Sequence, residues 1–271
     1  MRSKGFAILP PTDGPALPLI VHVPHSSRVI PAPVRRAFTA TDEQIDRELA
    51  TITDHLTDRL FAPARDLGAT LFVNRLSRLV IDPERFRNDA DESMAAHGMG
   101  AVRLLTVAGD QLRAPDFPPA ARESLLAQYY DPYARALDDL ARQFVDRCGR
   151  CLIIDAHSYS PTVRYLAGAP SPPICLGFEP PHSPVALIDA WRAGPLRDVP
   201  WLPNAPFAGS YVPASFWAPH DPRVRSVMIE VEKSLYLDET RGFRADRRRP
   251  GWDLVRKMLA EAADFLCNRH I

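Results

Sequence analysis

The chain has 271 residues, with 33 Lys+Arg against 33 Asp+Glu and hence no net charge. That balance excludes a polyanion as the main partner, because nucleic-acid binders carry a net basic footprint. A hydrophobic content of 46% with 24% charged residues excludes disorder, and 28 prolines against 13 glycines exclude long uninterrupted helices and predict stiff, extended loops.

In chain order, the apolar run Phe6–Leu9 stops at Pro10-Pro11, too short for the core of a secretory leader. Leu19–Val23 reads as a buried strand running into the polar Pro24-His25-Ser26-Ser27. A helix is expected over 42–67, with Thr41 and Gln44 as capping box, Gly68 as stop, and Ile45, Leu49, Ile52, Leu56 and Leu60 as apolar stripe. Ala69–Val73 and Leu79–Asp82 read as strands, 91–116 as irregular, and 118–147 as a helix kinked or broken at Pro132. Cys151–Asp155 is the clearest buried strand and ends in Ala156-His157-Ser158. A strand at 174–178, a helix at 183–193, a Pro-rich passage over 195–222, a strand at 227–231 and a helix at 252–267 complete the chain.

No stretch approaches the ~20 apolar residues of a membrane span. Four cysteines make no disulfide scaffold, so the expected location is the reducing cytoplasm. Cys148-Gly-Arg-Cys151 lacks the second pair that a structural zinc needs and reads as a helix end followed by a strand start. Strands alternating with helices predict one α/β domain over 1–271 with a largely parallel or mixed sheet.

In open α/β sheets ligands gather at the carboxyl ends of strands. Here those ends carry His25, Arg75 and Arg78, Asp82 with Arg85 beyond it, and Asp155 with His157; Glu230 stands inside an apolar strand. Such groups are costly to bury unless paired or coordinated. Imidazoles plus a carboxylate suit zinc better than magnesium. A separate carboxylate must then accept a proton from water, and Glu230 suits that role because an apolar strand raises its pKa. His22, three positions before His25, points to the opposite side of an extended strand and reads as structural. Ser158 and His157, being adjacent on a strand, cannot pair as nucleophile and base. Trp217 reads as a packing residue.

Several segments, in this order, resemble the N-formylglutamate amidohydrolase (N-formylglutamate deformylase) family. They are Val23-Pro-His-Ser-Ser27, Thr53-Asp54 with Asp66-Leu-Gly-Ala69, and Ser77-Arg-Leu-Val-Ile-Asp82 through Arg85. Ile154-Asp-Ala-His-Ser158, Asn204 through Pro206-Phe207 to Gly209-Ser-Tyr211, and Ile229-Glu230 with Leu235-Tyr-Leu-Asp-Glu239 complete the set. The family is similar in fold to zinc carboxypeptidases. The resemblance implies a three-layer α/β sandwich around a central mixed, largely parallel sheet of the phosphorylase/hydrolase-like type. It implies one Zn2+ held by His25, Asp54 and His157, with Glu230 as general base. Arg78 and Arg85 match the family's arginines and, with Asn204 and Tyr211 from the matching segments and Arg75 from its strand end, form the expected substrate-binding set. The implied reaction splits an N-acyl amino acid, such as N-formyl-L-glutamate, into formate and the free amino acid, as in histidine catabolism.

On a continuous helix, Asp54 would lie nine positions from Ile45, about 180° around from the apolar stripe. It would then face solvent or a site at the helix flank. The chain departs from the family pattern at Glu84, where the family has Asn, and at Ala134, Ala214 and Ser215, where histidine or arginine is common. If Glu84 points into the site, it repels a glutamate-like substrate; the metal and base positions survive while some substrate positions do not, a pattern that implies the same chemistry on a different N-acyl compound. The rival readings are a zinc carboxypeptidase-like enzyme acting on a peptide or other amide, and an inactive relative that binds an acidic metabolite. The implied partner is a small anionic N-acyl amino acid, with neither nucleic acid nor membrane, and the oligomeric state is left open.

Overall fold

The computed structural model describes residues 5–161 and 168–268. Its seven-stranded sheet contains β1 (Phe6–Leu9), β2 (Leu19–Val23), β3 (Thr70–Asn74), β4 (Cys151–Tyr159), β5 (Ile174–Gly177), β6 (Trp201–Pro203) and β7 (Val224–Glu232). The spatial order is β1-β3-β2-β4-β7-β5-β6. The pairs β2–β3, β2–β4, β4–β7 and β5–β6 are parallel, while β1–β3 and β5–β7 are antiparallel. The helices are α1 (Ala32–Arg35), α2 (Asp42–Ile52), α3 (Thr57–Leu60), α4 (Pro119–Leu125), α5 (Asp131–Cys148), α6 (Val185–Ala193), α7 (Ala214–Trp217) and α8 (Gly251–Asn268). No helix among the described residues is long and apolar enough to cross a membrane.

The central strands are buried along their whole length because helices cover both faces of the sheet. On one face Val21, Ile154 and Ile229 pack against Trp191 of α6 and Met258 of α8. On the other, Ile20, Phe72 and Ile153 pack against Tyr133, Leu137 and Phe144 of α5. This is the expected three-layer α/β sandwich. Strand periodicity then decides where the polar groups go. Ile153 faces α5, so Asp155 and His157 share that face, and His157 stands in register with Glu230 on β7.

Three local expectations are corrected. The helix expected over 42–67 keeps its capping box and its stop at Gly68 but breaks after Ile52. Thr53 is extended and Leu56 takes a left-handed conformation (φ 65°) before α3 begins. No glycine or proline marks the break. Leu79–Asp82 is a buried turn rather than a strand. Its carbonyls at Leu79 and Val80 accept from the fully buried guanidinium of Arg113, a partner from 33 or more residues away. The long helix over 118–147 is split into α4, a wider turn at Leu126–Tyr130, and α5, which takes Pro132 into its first turn, where a missing N–H costs nothing.

Gly177 ends β5 where the chain must pass close by. A Cβ there would lie 2.2 Å from the Gly209 carbonyl oxygen and 2.4 Å from the Met228 side chain. Gly177→Ala is therefore expected to destabilise the protein by about 1–3 kcal/mol, read as a lower urea midpoint at unchanged m-value.

Candidate metal centre

His25 lies just beyond β2, and its Nε2 donates to Asp82 Oδ1 at 2.9 Å. Its Nδ1 is buried and has no hydrogen-bond partner. Burial and the nearby Arg78 charge push the imidazole down to about 4, against the upward pull of Asp82, so it is neutral with a free lone pair on Nδ1. Asp54 sits in the helix break, where its backbone N–H donates to the His25 carbonyl at 3.1 Å. The break therefore turns Asp54 into the site instead of leaving it on a helix flank. Asp54 Oδ2 is 3.8 Å from His25 Nδ1 and 3.0 Å from His157 Nδ1.

His157 Nε2 faces Glu84 Oε1 at 3.1 Å and Asp155 Oδ1 at 3.2 Å. Burial opposes a charge on this imidazole, yet Glu84 and Asp155 outweigh it and hold the ring well above its ordinary value. Burial likewise opposes the Asp54 carboxylate, and the hydrogen bond and charge of His157 overcome it. One atom each from His25, Asp54 and His157 lies within 4.8 Å of the others, and all three residues are buried. An orphaned buried imidazole nitrogen facing a carboxylate and a second imidazole is a donor set that fits a divalent ion. Carboxylates already hold the outer nitrogens of both rings, as is usual for metal-ligating histidines.

Glu230 stands beside His157 in the sheet, with its Oε2 buried and unpartnered. Burial, reinforced by the Asp54 and Glu84 charges, raises it to about 8 against the pull of His157 and Arg78. These groups line one cavity of 720 Å³ together with Arg78, Arg85, Tyr211 and Trp217.

Arg78 is largely committed to Asp82, donating from Nε at 2.9 Å and Nη2 at 2.6 Å. Arg85 is held more loosely, 3.9 Å from Asp82 and 3.7 Å from Glu92. Two candidates fall outside the cavity lining. Arg75 is exposed, and its carbonyl accepts from Ser27 Oγ. Asn204 has φ 52° and spends its Oδ1 on the N–H groups of Phe178 and Gly209, so it shapes a loop. Trp217, read as packing, does pack against the core on the α5 side of the sheet and also lines the cavity.

His22 faces the same side as Asp155, donates to it from Nδ1 at 2.9 Å, and meets the Tyr133 hydroxyl at Nε2. Ser158 points the other way and accepts from the Tyr236 hydroxyl at 2.8 Å. Cys148 and Cys151 are free thiols flanking Gly149, which ends α5 with φ 72°. Arg103 was not singled out in the sequence. It is buried, paired with Glu48 at 3.0 Å, and lines the cavity from a stretch without periodicity.

The family model for N-formylglutamate amidohydrolase matches residues 17–237. The chain belongs to the N-formylglutamate amidohydrolase family. It is 27% identical over 255 residues to the N-formylglutamate deformylase of Pseudomonas aeruginosa, covering 90% of this chain and 91% of that protein. The corresponding protein of Pseudomonas putida is 26% identical over 255 residues, with the same coverage. Among solved structures, an N-formylglutamate amidohydrolase from Ralstonia eutropha superposes with a TM-score of 0.84 at 21% identity, over 98% of this chain and 99% of that one. A protein from Agrobacterium tumefaciens gives 0.63 at 17% identity, over 97% and 92%.

Within this family member, Asp82 carries two duties, orienting His25 and neutralising Arg78. Asp82→Asn is expected to weaken metal affinity about 10–100-fold, measured by competition with a chelator. It also leaves the half-buried Arg78 without its hydrogen-bonded carboxylate, at a cost of about 1–3 kcal/mol in a denaturant titration. Glu84 does enter the cavity, where burial and the Asp155 charge raise it to about 7 while His157 and His22 oppose them.

Proposed function

We propose that the protein is a zinc-dependent amidohydrolase that cleaves an N-formyl or related N-acyl amino acid into the free amino acid and a carboxylate. The observation that carries this reading is the convergence of a buried two-nitrogen, one-carboxylate donor set with a high-pKa glutamate inside one arginine-bearing cavity. The names of the Pseudomonas relatives support it.

His25, Asp54 and His157 would hold the ion, which when bound supplies a Lewis acid for the amide carbonyl and makes water acidic enough to attack near neutral pH. Glu230 takes the proton from the attacking water, and its position beside His157 suits that task. The C–N bond then breaks, and Glu230 returns the proton to the departing amine. Arg85, with its loose pairing, is the guanidinium best able to fork onto a substrate carboxylate. Arg78 holds Asp82, and through it His25, in place.

The test is direct. Because Glu84 enters the cavity, zinc-loaded protein is given N-formyl-L-glutamate and N-formyl derivatives of uncharged amino acids, and is expected to release formate and the free amino acid in equal amounts from at least one of them. Chelation should abolish this release and added zinc should restore it. Turnover that survives complete metal removal would overturn the reading.

A further inference from the structure

We propose that Arg103 is the residue that selects a dicarboxylic substrate, holding the side-chain carboxylate of an N-formyl amino acid while Arg85 takes its α-carboxylate. The inference rests on the amidohydrolase reading above and names the group that sets its side-chain specificity.

Arg103 lines the same cavity as Arg78 and Arg85 but is only 4% exposed. Its Nη1 donates to Glu48 Oε1 at 3.0 Å, and its buried Nε has no hydrogen-bond partner. Glu48 is itself shared, since both its oxygens also accept from the Val107 N–H at 3.0 and 3.1 Å. Burial and the Arg78 and Arg85 charges push the Arg103 guanidinium down to about 10 against the pull of Asp82 and Glu48. It therefore stays charged at neutral pH and keeps donors to spare. A buried donor without an acceptor is costly, and an arginine fork is shaped to take a carboxylate. Arg85 is in a similar condition. Its Nε is buried and unpartnered, and its ion pairs at 3.9 and 3.7 Å are longer than hydrogen bonds.

The two guanidiniums are held in place from behind. The fully buried Arg113 donates to the Arg103 carbonyl and to the carbonyls of Leu79 and Val80, at 2.8 and 3.3 Å for the latter two. One side chain thus ties the backbone of Arg103 to the turn that leads from Arg78 toward Arg85. Phe38 packs on Arg113, with its ring centre 4.7 Å from the guanidinium carbon. Met94, Met99 and Val107 line the cavity from the same stretch of chain, and their apolar surface strengthens any charge pairing made there.

The anchors of the two arginines decide which carboxylate each takes. Arg85 approaches Asp82, the carboxylate that holds His25, whereas Arg103 is anchored on Glu48 of α2. The α-carboxylate of an N-formyl amino acid lies next to the amide, so it falls to Arg85 on the metal side. The second carboxylate, at the far end of the side chain, falls to Arg103. Glu84 faces His157, and the charges that bear most on Arg103 are those of Arg78, Asp82, Glu48 and Arg85.

The experiment compares N-formyl-L-glutamate with N-formyl-L-glutamine, which has the same shape without the second charge, on zinc-loaded protein. The expected kcat/KM is at least about tenfold higher for the glutamate compound, the discrimination that a charged hydrogen bond supplies. Arg103→Lys keeps a cation beside Glu48 but loses the fork, and should lower this ratio at least about threefold. Arg103→Met combined with Glu48→Gln removes the buried pair together and should abolish the preference. Equal cleavage of the two compounds, or variants that slow both alike, would overturn this inference and leave the amidohydrolase reading intact. Cleavage of neither compound would count against that reading alone. Calorimetry on the metal-free protein then decides the matter for Arg103. Tighter binding of the glutamate compound, lost in Arg103→Lys, supports the assignment, and equal binding of the two compounds refutes it.

Discussion

Glu230→Gln is expected to leave the metal content unchanged and to lower kcat by about 10²–10⁴-fold, the usual contribution of a positioned general base. Gln has the same shape, and Glu230 is not part of the His25, Asp54 and His157 donor set. Its Oε2 has no hydrogen-bond partner, so the amide removes basicity without breaking a bond at that atom. Elemental analysis and steady-state kinetics together check both halves, and full activity in this variant would sink the base assignment.

The pH profile carries the same information with a defined sign. Burial raises Glu230 from 4.5 to about 8 in the metal-free protein. A base works only when deprotonated, so kcat/KM must rise with pH through this pKa. A nearby dication favours the carboxylate and pulls the value down. The acid limb is therefore expected above 4.5 and no higher than about 8, and it should vanish in Glu230→Gln.

His157→Ala has the second large effect, the loss of bound metal. The variant removes Nδ1 from the donor set and takes away the charged ring that Asp54, Glu84 and Asp155 share, leaving Asp155 its hydrogen bond from His22. Zinc per chain after dialysis is expected to fall from about one to near zero. Stability should drop by about 3–5 kcal/mol, because the ring's charge offsets those carboxylates. Measuring zinc in the folded fraction separates the two effects, and an unchanged zinc content there would refute His157 as a ligand.

Much of this arrangement was legible in the chain. The buried apolar runs at 151–155 and 227–231 placed His157 at a strand end and Glu230 inside a strand; the strands in fact run over Cys151–Tyr159 and Val224–Glu232, and their parallel register brings the two residues side by side. Period two also explains why Ser158 is unavailable to His157. Asp54 was named by its Thr-Asp motif, yet its geometry was not readable. The helix stripe continues past it in sequence, and the break at Thr53–Leu56 is stabilised by a hydrogen bond to His25, 29 positions earlier. Arg75 and Asn204 show the converse, since a strand end suggested the first and motif order the second, yet both are exposed and outside the cavity lining.

By itself the sequence determined the α/β class, the strands β2, β3, β4, β5 and β7 and the residue types at their ends, because hydrophobic periodicity and chain order are local properties, while the edge strands β1 and β6 left no such signal. Only the tertiary structure decided which atoms meet. Asp82 reaching His25, Glu84 reaching His157, and Arg103 entering the cavity from an irregular stretch all depend on contacts between distant segments. Those contacts are set by burial and charge balance in three dimensions, and neither leaves a periodic trace along the chain.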